Sequence, residues 1–239
     1  MLKGDFEQVS VGVIIPAAGK GKRMGAGQSK QFLHLAGEPI LIRTLQVFVT
    51  HPAVDEIVVA VSQDDWEQTV QLLDASGLAE KGIRLVTGGA ERQHSVYRAL
   101  KESRSEWVLV HDAVRPFVTH DRINALLDAV KMHGAAVLAV PLKDTVKEVS
   151  NAGVVEGTPD RSRLWAVQTP QAFRRELLLE AHERGQAAGL FATDDAMLVE
   201  EMGIDVRVVE GDYTNIKLTT PDDRIVAEAI WKMRGTQDV

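Results

Sequence analysis

Short, wholly apolar runs alternate along this chain with segments of helical periodicity, and that alternation restricts the fold more than any other feature. Strands are expected at 11–15 (Val-Gly-Val-Ile-Ile), 56–62 (Glu-Ile-Val-Val-Ala-Val-Ser), 83–87, 107–111 (Trp-Val-Leu-Val-His) and 135–140. Between them Ile40/Leu41, Thr44/Leu45 and Phe48 follow helical spacing, as do Val96/Tyr97 with Leu100, and Ile123, Leu126/Leu127 with Val130. Strands that are apolar on both faces and interleaved with helices predict an α/β fold with a mostly parallel sheet, covered on each side. Ligands bind such sheets beyond the carboxyl ends of the strands.

The rhythm breaks at 141–163. Lys143 to Val149, a polar turn at Ser150 to Gly153, and Val154 to Gly157 read as a β-hairpin arm projecting from the sheet. Regular structure resumes with Leu164 to Val167, helices near 174–188 and 194–202, a strand at 205–209 and a last helix at 221–233. With 239 residues and 45% hydrophobic content, one large core is within reach. A single domain over 1–239 carrying the arm as an insertion is therefore expected.

The segment Pro16-Ala17-Ala18-Gly19-Lys20-Gly21-Lys22-Arg23-Met24, followed by Lys30-Gln31-Phe32, comes directly after the first apolar run. Small residues at 17–19 and 21 let the backbone approach a ligand closely and aim several N–H groups at it. Lys20, Lys22, Arg23 and Lys30 bring cations to this loop in a chain whose net charge is −7. The Debye length is roughly 8 Å at physiological salt, so scattered carboxylates are screened while a cation touching a phosphate is not. A polyanion, most simply a nucleoside triphosphate, fits both facts; ordinary solvated charge is the alternative. The loop matches neither better-known phosphate pattern. There is no Walker sequence, and Gly19 and Gly21 are followed by Gly25, one residue too late for the dinucleotide fingerprint.

Several function classes fall away. The chain has no cysteine, so disulfides and thiolate chemistry are excluded. Seven histidines include no H-x-x-x-H pair, against zinc, and no G-x-S-x-G elbow appears. Aromatic content of 5% with no basic-aromatic stripe argues against nucleic acid. The longest apolar run, Ala135 to Leu142, is far below the ~20 residues of a membrane helix, and residues 1–10 lack the apolar core of a signal peptide. A cytoplasmic protein without membrane contact is expected.

Other residues at strand ends suit the same ligand. Asp112 follows the strand 107–111, where a carboxylate facing a phosphate loop would hold Mg²⁺ jointly with phosphate oxygens; a turn residue or helix cap is the alternative. His111 reads as a hydrogen-bonded core residue. Gly88-Gly89 forms a second strand-to-helix turn that could bring backbone onto a nucleobase and the Ser95 hydroxyl onto a phosphate or ribose. Lys217 stands just before a helix start at Pro221-Asp222-Asp223, although by spacing alone it is a surface lysine. Arg161 and Thr169-Pro170-Gln171 have no function by bare spacing.

Taken together these segments resemble the cytidylyltransferases of the glycosyltransferase-A-like nucleotidyltransferase superfamily, and most of all the 2-C-methyl-D-erythritol 4-phosphate cytidylyltransferase family of the non-mevalonate isoprenoid pathway. The matching segments run from Pro16-Ala17-Ala18-Gly19 through Arg23-Met24 and Lys30-Gln31 to Gly88-Gly89 with Arg92 and Ser95, and His111-Asp112-Ala113 with Arg115-Pro116. They continue with Asp144-Thr145-Val146-Lys147, Asp160-Arg161, Leu164-Trp165, Thr169-Pro170-Gln171, Thr193-Asp194 and Asn215-Ile216-Lys217. The resemblance implies a Rossmann-like nucleotidyltransferase fold and transfer of a cytidylyl group from CTP to a sugar-alcohol phosphate, with Mg²⁺ as cofactor. It implies that Arg23 and Lys30 stabilise charge on the α-phosphate and that Asp112 helps hold the metal. Ala17, Ala18, Gly19, Gly89, Ser95 and Ala113 would line the CTP site. Thr145, Arg161, Thr169 and Lys217 would orient the acceptor, Arg161 and Lys217 also serving catalysis. A homodimer whose arm reaches the neighbouring subunit's site is implied as well. Ala90 departs from members that carry an acidic residue there. A ribitol-5-phosphate cytidylyltransferase shares part of this pattern, but tends towards Leu-Ala-Gly-Gly where this chain has Pro16-Ala17-Ala18-Gly19. A non-catalytic nucleotide sensor would not need Lys30, Lys217 and the arm cations together.

Overall fold

The structure, a computed structural model, describes residues 10–19 and 29–235. Its first half runs β1 (Val11–Ala17), β2 (His34–Leu35), β3 (Glu38–Pro39), α1 (Ile40–Val49), β4 (Glu56–Val61), α2 (Trp66–Ala75), β5 (Ile83–Thr87), α3 (Arg92–Glu102) and β6 (Trp107–Val110). The second half continues with α4 (His120–His133), β7 (Ala135–Pro141), β8 (Glu148–Val149), β9 (Val155–Gly157) and β10 (Trp165–Arg174). After these come α5 (Arg175–Ala187), α6 (Asp195–Glu200), β11 (Arg207–Glu210) and α7 (Pro221–Gly235). Apart from the arm and β10, the expected strands and helices are present within a few residues of the expected bounds. Trp66–Ala75, which carries no strong apolar stripe, is helical as well and buries Thr69 and Leu73.

Seven strands form one sheet in the order β11-β7-β10-β6-β1-β4-β5. β1 pairs in parallel with β4 and β6, β4 with β5, and β7 with β11. β10 alone runs antiparallel, between β6 and β7. The side-chain period of two sorts each central strand onto two cores. Val13 and Ile15 of β1, Val59 of β4 and Leu109 of β6 face Leu41, Leu45 and Phe48 of α1 and Leu126 of α4. Ile14, Val58, Val108 and Val110 face the other way, against Val96 and Leu100 of α3 and Leu178 of α5. Each fully buried side chain of this size contributes about 1.5–3 kcal/mol, which is why apolar runs without alternation become central strands here.

β10 is longer than the strand expected at Leu164 to Val167, and it occupies the start of the helix expected from 174. Proline in a polar run reads as a strand breaker. The sheet accommodates it by a shift of register between Val167 and Gln171, and such irregularities re-aim side chains beside active sites. The arm is also shorter in its pairing than expected: only Glu148–Val149 and Val155–Gly157 are strand, closed by a turn in which Gly153 takes φ +78°. At its base Tyr213 Oη donates to the carbonyl of Pro141 (2.8 Å), and Lys143 Nζ lies 3.5 Å from the Tyr213 ring centroid. Among the described residues no helix is long and apolar enough to cross a membrane.

Candidate active site

The carboxyl ends of β1, β5 and β6 carry the loops singled out by composition, and close packing ties the β1 loop to those after β4 and β5. Gln31, only 3% exposed, donates through Nε2 to the carbonyl of Ala17 (2.7 Å). Ser29 Oγ donates to Asp65 Oδ2 (2.9 Å) beyond β4. The 3-10 turn Lys30–Phe32 is thereby fixed at the end of β1, and Lys30 with it. Gly88 donates to the carbonyl of Val61 (2.7 Å), and a Cβ on Gly88 would stand 2.3 Å from Cβ of Ala18. Glycine is therefore required for the first and second loops to touch. Among the described residues, a Cβ on Gly19 would meet no atom within 4 Å.

Ser95 lies in this wall, but its hydroxyl serves the loop itself. It accepts from Gly89 N (3.0 Å) and donates to the carbonyl of Glu91 (3.1 Å). Ala113 is buried, and its carbonyl accepts from Thr44 Oγ1 (3.0 Å). Arg23 lies outside the described residues.

Asp112 organises the floor. Its carboxylate, 9% exposed, faces three cations: Arg92 Nε at 3.2 Å on Oδ1, and Lys217 Nζ at 2.9 Å and Arg115 Nε at 3.4 Å on Oδ2. Burial alone would raise its pKa, but Arg92, Lys217 and Arg115 outweigh burial and hold the carboxyl well below the usual carboxylate range. Arg92 is pushed the other way: burial lowers its pKa, and Asp195 with Asp112 more than reverses that. Arg115 is lowered, with burial as the largest cause and Asp112 opposing it. Asp112 is thus neither an isolated metal ligand nor a helix cap, since α4 is capped by Thr119.

Lys217 reaches Asp112 because its segment is laced to the β6 loop. Leu218 N donates to the carbonyl of Val114 (3.0 Å), and Arg115 Nη1 donates to the carbonyl of Asn215 (2.7 Å). Asn215 Nδ2 in turn donates to the carbonyl of Thr169 (2.9 Å). The α7 start holds the far side, where Asp223 Oδ2 accepts from Thr219 N and Thr220 N, each at 2.7 Å.

Thr169 and His111 fasten β10 to the end of β6. His111 is fully buried, and its pKa is lowered to about 4, chiefly by burial. Its Nε2 lies 2.9 Å from the carbonyl of Arg115, which requires the proton on that nitrogen, so Nδ1 accepts from the Thr169 hydroxyl at 3.1 Å. Thr169 Oγ1 also accepts from Asp112 N (3.0 Å). Its donor is thus used inside the protein, leaving one lone pair that can only accept a further hydrogen bond. His111 is the core residue its strand position suggested.

Thr145 and Arg161 are not brought to this floor. Both are exposed on the arm. Arg161 donates to the carbonyl of Lys143, also on the arm, and neither residue makes a hydrogen bond or ion pair with the Asp112 cluster. Conversely, Arg92 and Arg115 received no role from the sequence, although each sits at a legible place. Arg92 is three residues after Gly89 at the start of α3, and Arg115 is three residues after Asp112, across a single turn.

A doubly covered, mostly parallel sheet with cations gathered at its carboxyl ends is the α/β architecture in which ligands bind beyond the strand ends. Residues 11–233 match the family described as IspD: 2-C-methyl-D-erythritol 4-phosphate cytidylyltransferase, and the chain belongs to that family. It is 54% identical over 222 residues to the protein of that name from Bacillus velezensis, covering 92% of this chain and 95% of the relative. Identity to the Symbiobacterium thermophilum relative is 51% over 232 residues, with 96% of each covered. Among solved structures, the 4-diphosphocytidyl-2C-methyl-D-erythritol synthase of Anaerococcus prevotii superposes with a TM-score of 0.84 at 32% identity, over 95% of this chain and 100% of that one. The Thermus thermophilus cytidylyltransferase gives 0.76 at 36%, over 92% and 98%.

Proposed function

We propose that this enzyme transfers a cytidylyl group from CTP to 2-C-methyl-D-erythritol 4-phosphate, releasing pyrophosphate, as a step in isoprenoid biosynthesis. The observation that carries the reading is the cluster of Arg92, Arg115 and Lys217 on the single carboxylate of Asp112, set against a glycine-bearing loop at the strand ends. Excess positive charge there suits a polyphosphate, and family membership supplies the nucleotide and acceptor.

The chemistry asks little of covalent catalysis. A phosphate oxygen of the acceptor attacks the α-phosphorus of CTP, the bond to the bridging oxygen breaks, and pyrophosphate leaves with the electron pair. The attacking oxygen is already ionised, so no strong general base is needed; positioning and charge stabilisation carry the rate. Lys30, held by the Gln31 anchor, and Arg23 would meet charge gathering on the α-phosphate. Lys217, whose side chain is 41% exposed, would present its ammonium to the acceptor phosphate while Asp112 restrains it. Ala17, Ala18, Gly19, Gly89 and Ala113 would offer backbone to the nucleotide.

The residues fit Mg²⁺ in one arrangement. A carboxylate has about four lone-pair positions, and Arg92, Arg115 and Lys217 take three of those on Asp112. One remains, which suits a cation that takes one or two carboxylates and draws its other ligands from phosphate and water. Mg²⁺ would offset triphosphate charge and would arrive with the nucleotide, since the cations around Asp112 repel the bare ion.

Thr145 and Arg161 would complete the acceptor site of a second copy of the chain. Exposed valines at 149, 154 and 155, 54–62% accessible, together with Trp165 and Val167, offer the arm and its base as the surface of a homodimer. The test of the whole reading is pyrophosphate release from CTP, UTP and ATP, each with methylerythritol phosphate and with ribitol phosphate. CTP with methylerythritol phosphate should lead by at least about tenfold in kcat/KM, roughly 1.4 kcal/mol of discrimination. Equal turnover of ribitol phosphate would overturn the acceptor assignment.

A further inference from the structure

Behind the floor lies a second carboxylate that the reaction as described does not use. Asp195, at the start of α6, is 1% exposed, and its Oδ2 lies 2.6 Å from Arg92 Nη1. Its Oδ1 faces His182 Nε2 at 3.2 Å. Helix capping does not explain this side chain. Asp194 is the cap, accepting from Met197 N (3.0 Å), and Gln171 Oε1 takes the amides of Asp195 (3.1 Å) and Ala196 (3.2 Å). The α6 terminus is therefore satisfied without the Asp195 carboxylate. That carboxylate is ionised: burial would raise its pKa, but Arg92 and His182 more than offset the effect.

One guanidinium thus spans two carboxylates, Nη1 on Asp195 and Nε on Asp112. The arrangement matters because arginine prefers to grip a single carboxylate with two parallel bonds. Released from Asp195, Arg92 could bring a second N–H onto Asp112 Oδ1 and take its last lone pair, or swing into solvent, since its side chain is 30% exposed.

We infer that Asp195 is a positioning residue: by engaging Arg92 Nη1 it keeps the guanidinium on Asp112 through Nε alone, so that one carboxylate lone pair stays open for the cation that accompanies the nucleotide. This rests on the function proposed above, in which a triphosphate and Mg²⁺ meet at Asp112. Asp195 touches neither; it acts through Arg92.

The test uses the intact protein and the isosteric variant Asp195→Asn, with calorimetric CTP affinity measured with and without Mg²⁺ beside steady-state kinetics. Mg²⁺ should lose at least fivefold of its effect on CTP affinity, and half-maximal turnover should need at least fivefold more Mg²⁺. Affinity for CTP without metal should hold within twofold or tighten, because the variant leaves one more uncompensated positive charge at the site. General loosening would weaken both affinities together, and that result would overturn the inference. In an Arg92→Gln background, Asp195→Asn should add less than a twofold change; additive effects would show that Asp195 does not act through Arg92 and would also overturn it. Should Asp195→Asn fail to fold, Arg92→Lys, which keeps a charge near Asp112 but cannot span both carboxylates, should reproduce the Mg²⁺ shift; unchanged Mg²⁺ dependence there would overturn the inference. Absence of CTP-dependent pyrophosphate release in the unmodified enzyme would instead overturn the proposed function, so the two failures are read in different proteins.

Discussion

Around Asp112, charged groups meet opposite charges within the chain, whereas in the arm between β7 and β10 polar and apolar groups alike face outward. Asp112 is 6% exposed, while Val149, Val154 and Val155 are 54–62% exposed. The floor is held from four directions, by β6, α3, β10 and the segment before α7. The arm pairs only Glu148–Val149 with Val155–Gly157, and a lone hairpin of that size is marginal in water. One half of the proposed site is therefore complete inside one chain, and the other half presents Thr145 and Arg161 on an element that its own chain barely supports. Damage to the floor should cost stability and activity together. Damage to the arm should cost activity or association while leaving the fold alone.

The largest effect is expected from Asp112→Ala. It leaves Arg92, Arg115 and Lys217 without their shared counter-charge, and breaking a buried ion pair costs about 3–5 kcal/mol. Lys217 and Arg92 can turn partly to water, so we expect the lower end, about 3 kcal/mol, a Tm drop of roughly 6–12 °C, and near-complete loss of turnover. A variant of unchanged Tm, measured by calorimetry, would show that the floor is no more self-supporting than the arm.

Acid should attack the floor before the arm. The pKa of His111 falls from 6.5 to about 4 in the fold. Between those values the unfolded chain binds the proton and the native one does not, so stability is full above pH 6.5 and declines as pH falls towards 4, by about 3 kcal/mol at most. His51, lowered chiefly by burial and then by nearby His120, adds a loss of the same sign. Below the ordinary aspartate range, Asp112 and Asp195 add a second loss, because their pKa values are depressed and their pairing is lost on protonation. Denaturant unfolding at pH 7, 5.5 and 4.5 checks this. A flat profile down to pH 4.5 would contradict the buried neutral His111.

Mixing inactive Lys30→Ala with inactive Arg161→Ala sharpens the comparison, because it asks whether the arm serves another chain. If it does, hybrid dimers should recover up to about a quarter of full activity, given random exchange and independent sites. No recovery after proven subunit exchange would return Arg161 to its own chain's site or remove it from the site altogether. The smallest effect on the fold is expected from Val154→Lys at the arm tip: under about 0.5 kcal/mol in unfolding, yet at least a tenfold weakening of self-association by sedimentation. Unchanged association would mean that the exposed valines do not cover one another's partners.

Much of the molecule was legible in the residue order. Ile14 and Ile15 could be placed in a central strand because both faces of such a strand are buried, and Gly88 and Asp112 could be placed at strand ends because apolar runs stop just before them. The register shift around Thr169 and Pro170 was not legible, since a polar segment with proline gives no strand pattern and becomes one only between β6 and β7. Nor was the inward turn of Ser95 and Thr169 legible. A hydroxyl's partner depends on which carbonyl or ring nitrogen the fold brings within about 3 Å, and those partners lie on Gly89, Glu91, His111 and Asp112.

By itself, the sequence determined the α/β class, the strand ends where chemistry gathers and, by resemblance, the family, because hydrophobic periodicity and loop composition are local properties. Only the tertiary structure decided that Asp112 is shared among Arg92, Arg115 and Lys217, and that Arg92 is held from behind by Asp195. Those groups are separated by as many as 125 positions, between Arg92 and Lys217. Electrostatic coupling depends on distance in space and on burial, and neither exists along the chain until the sheet has brought its strand ends together.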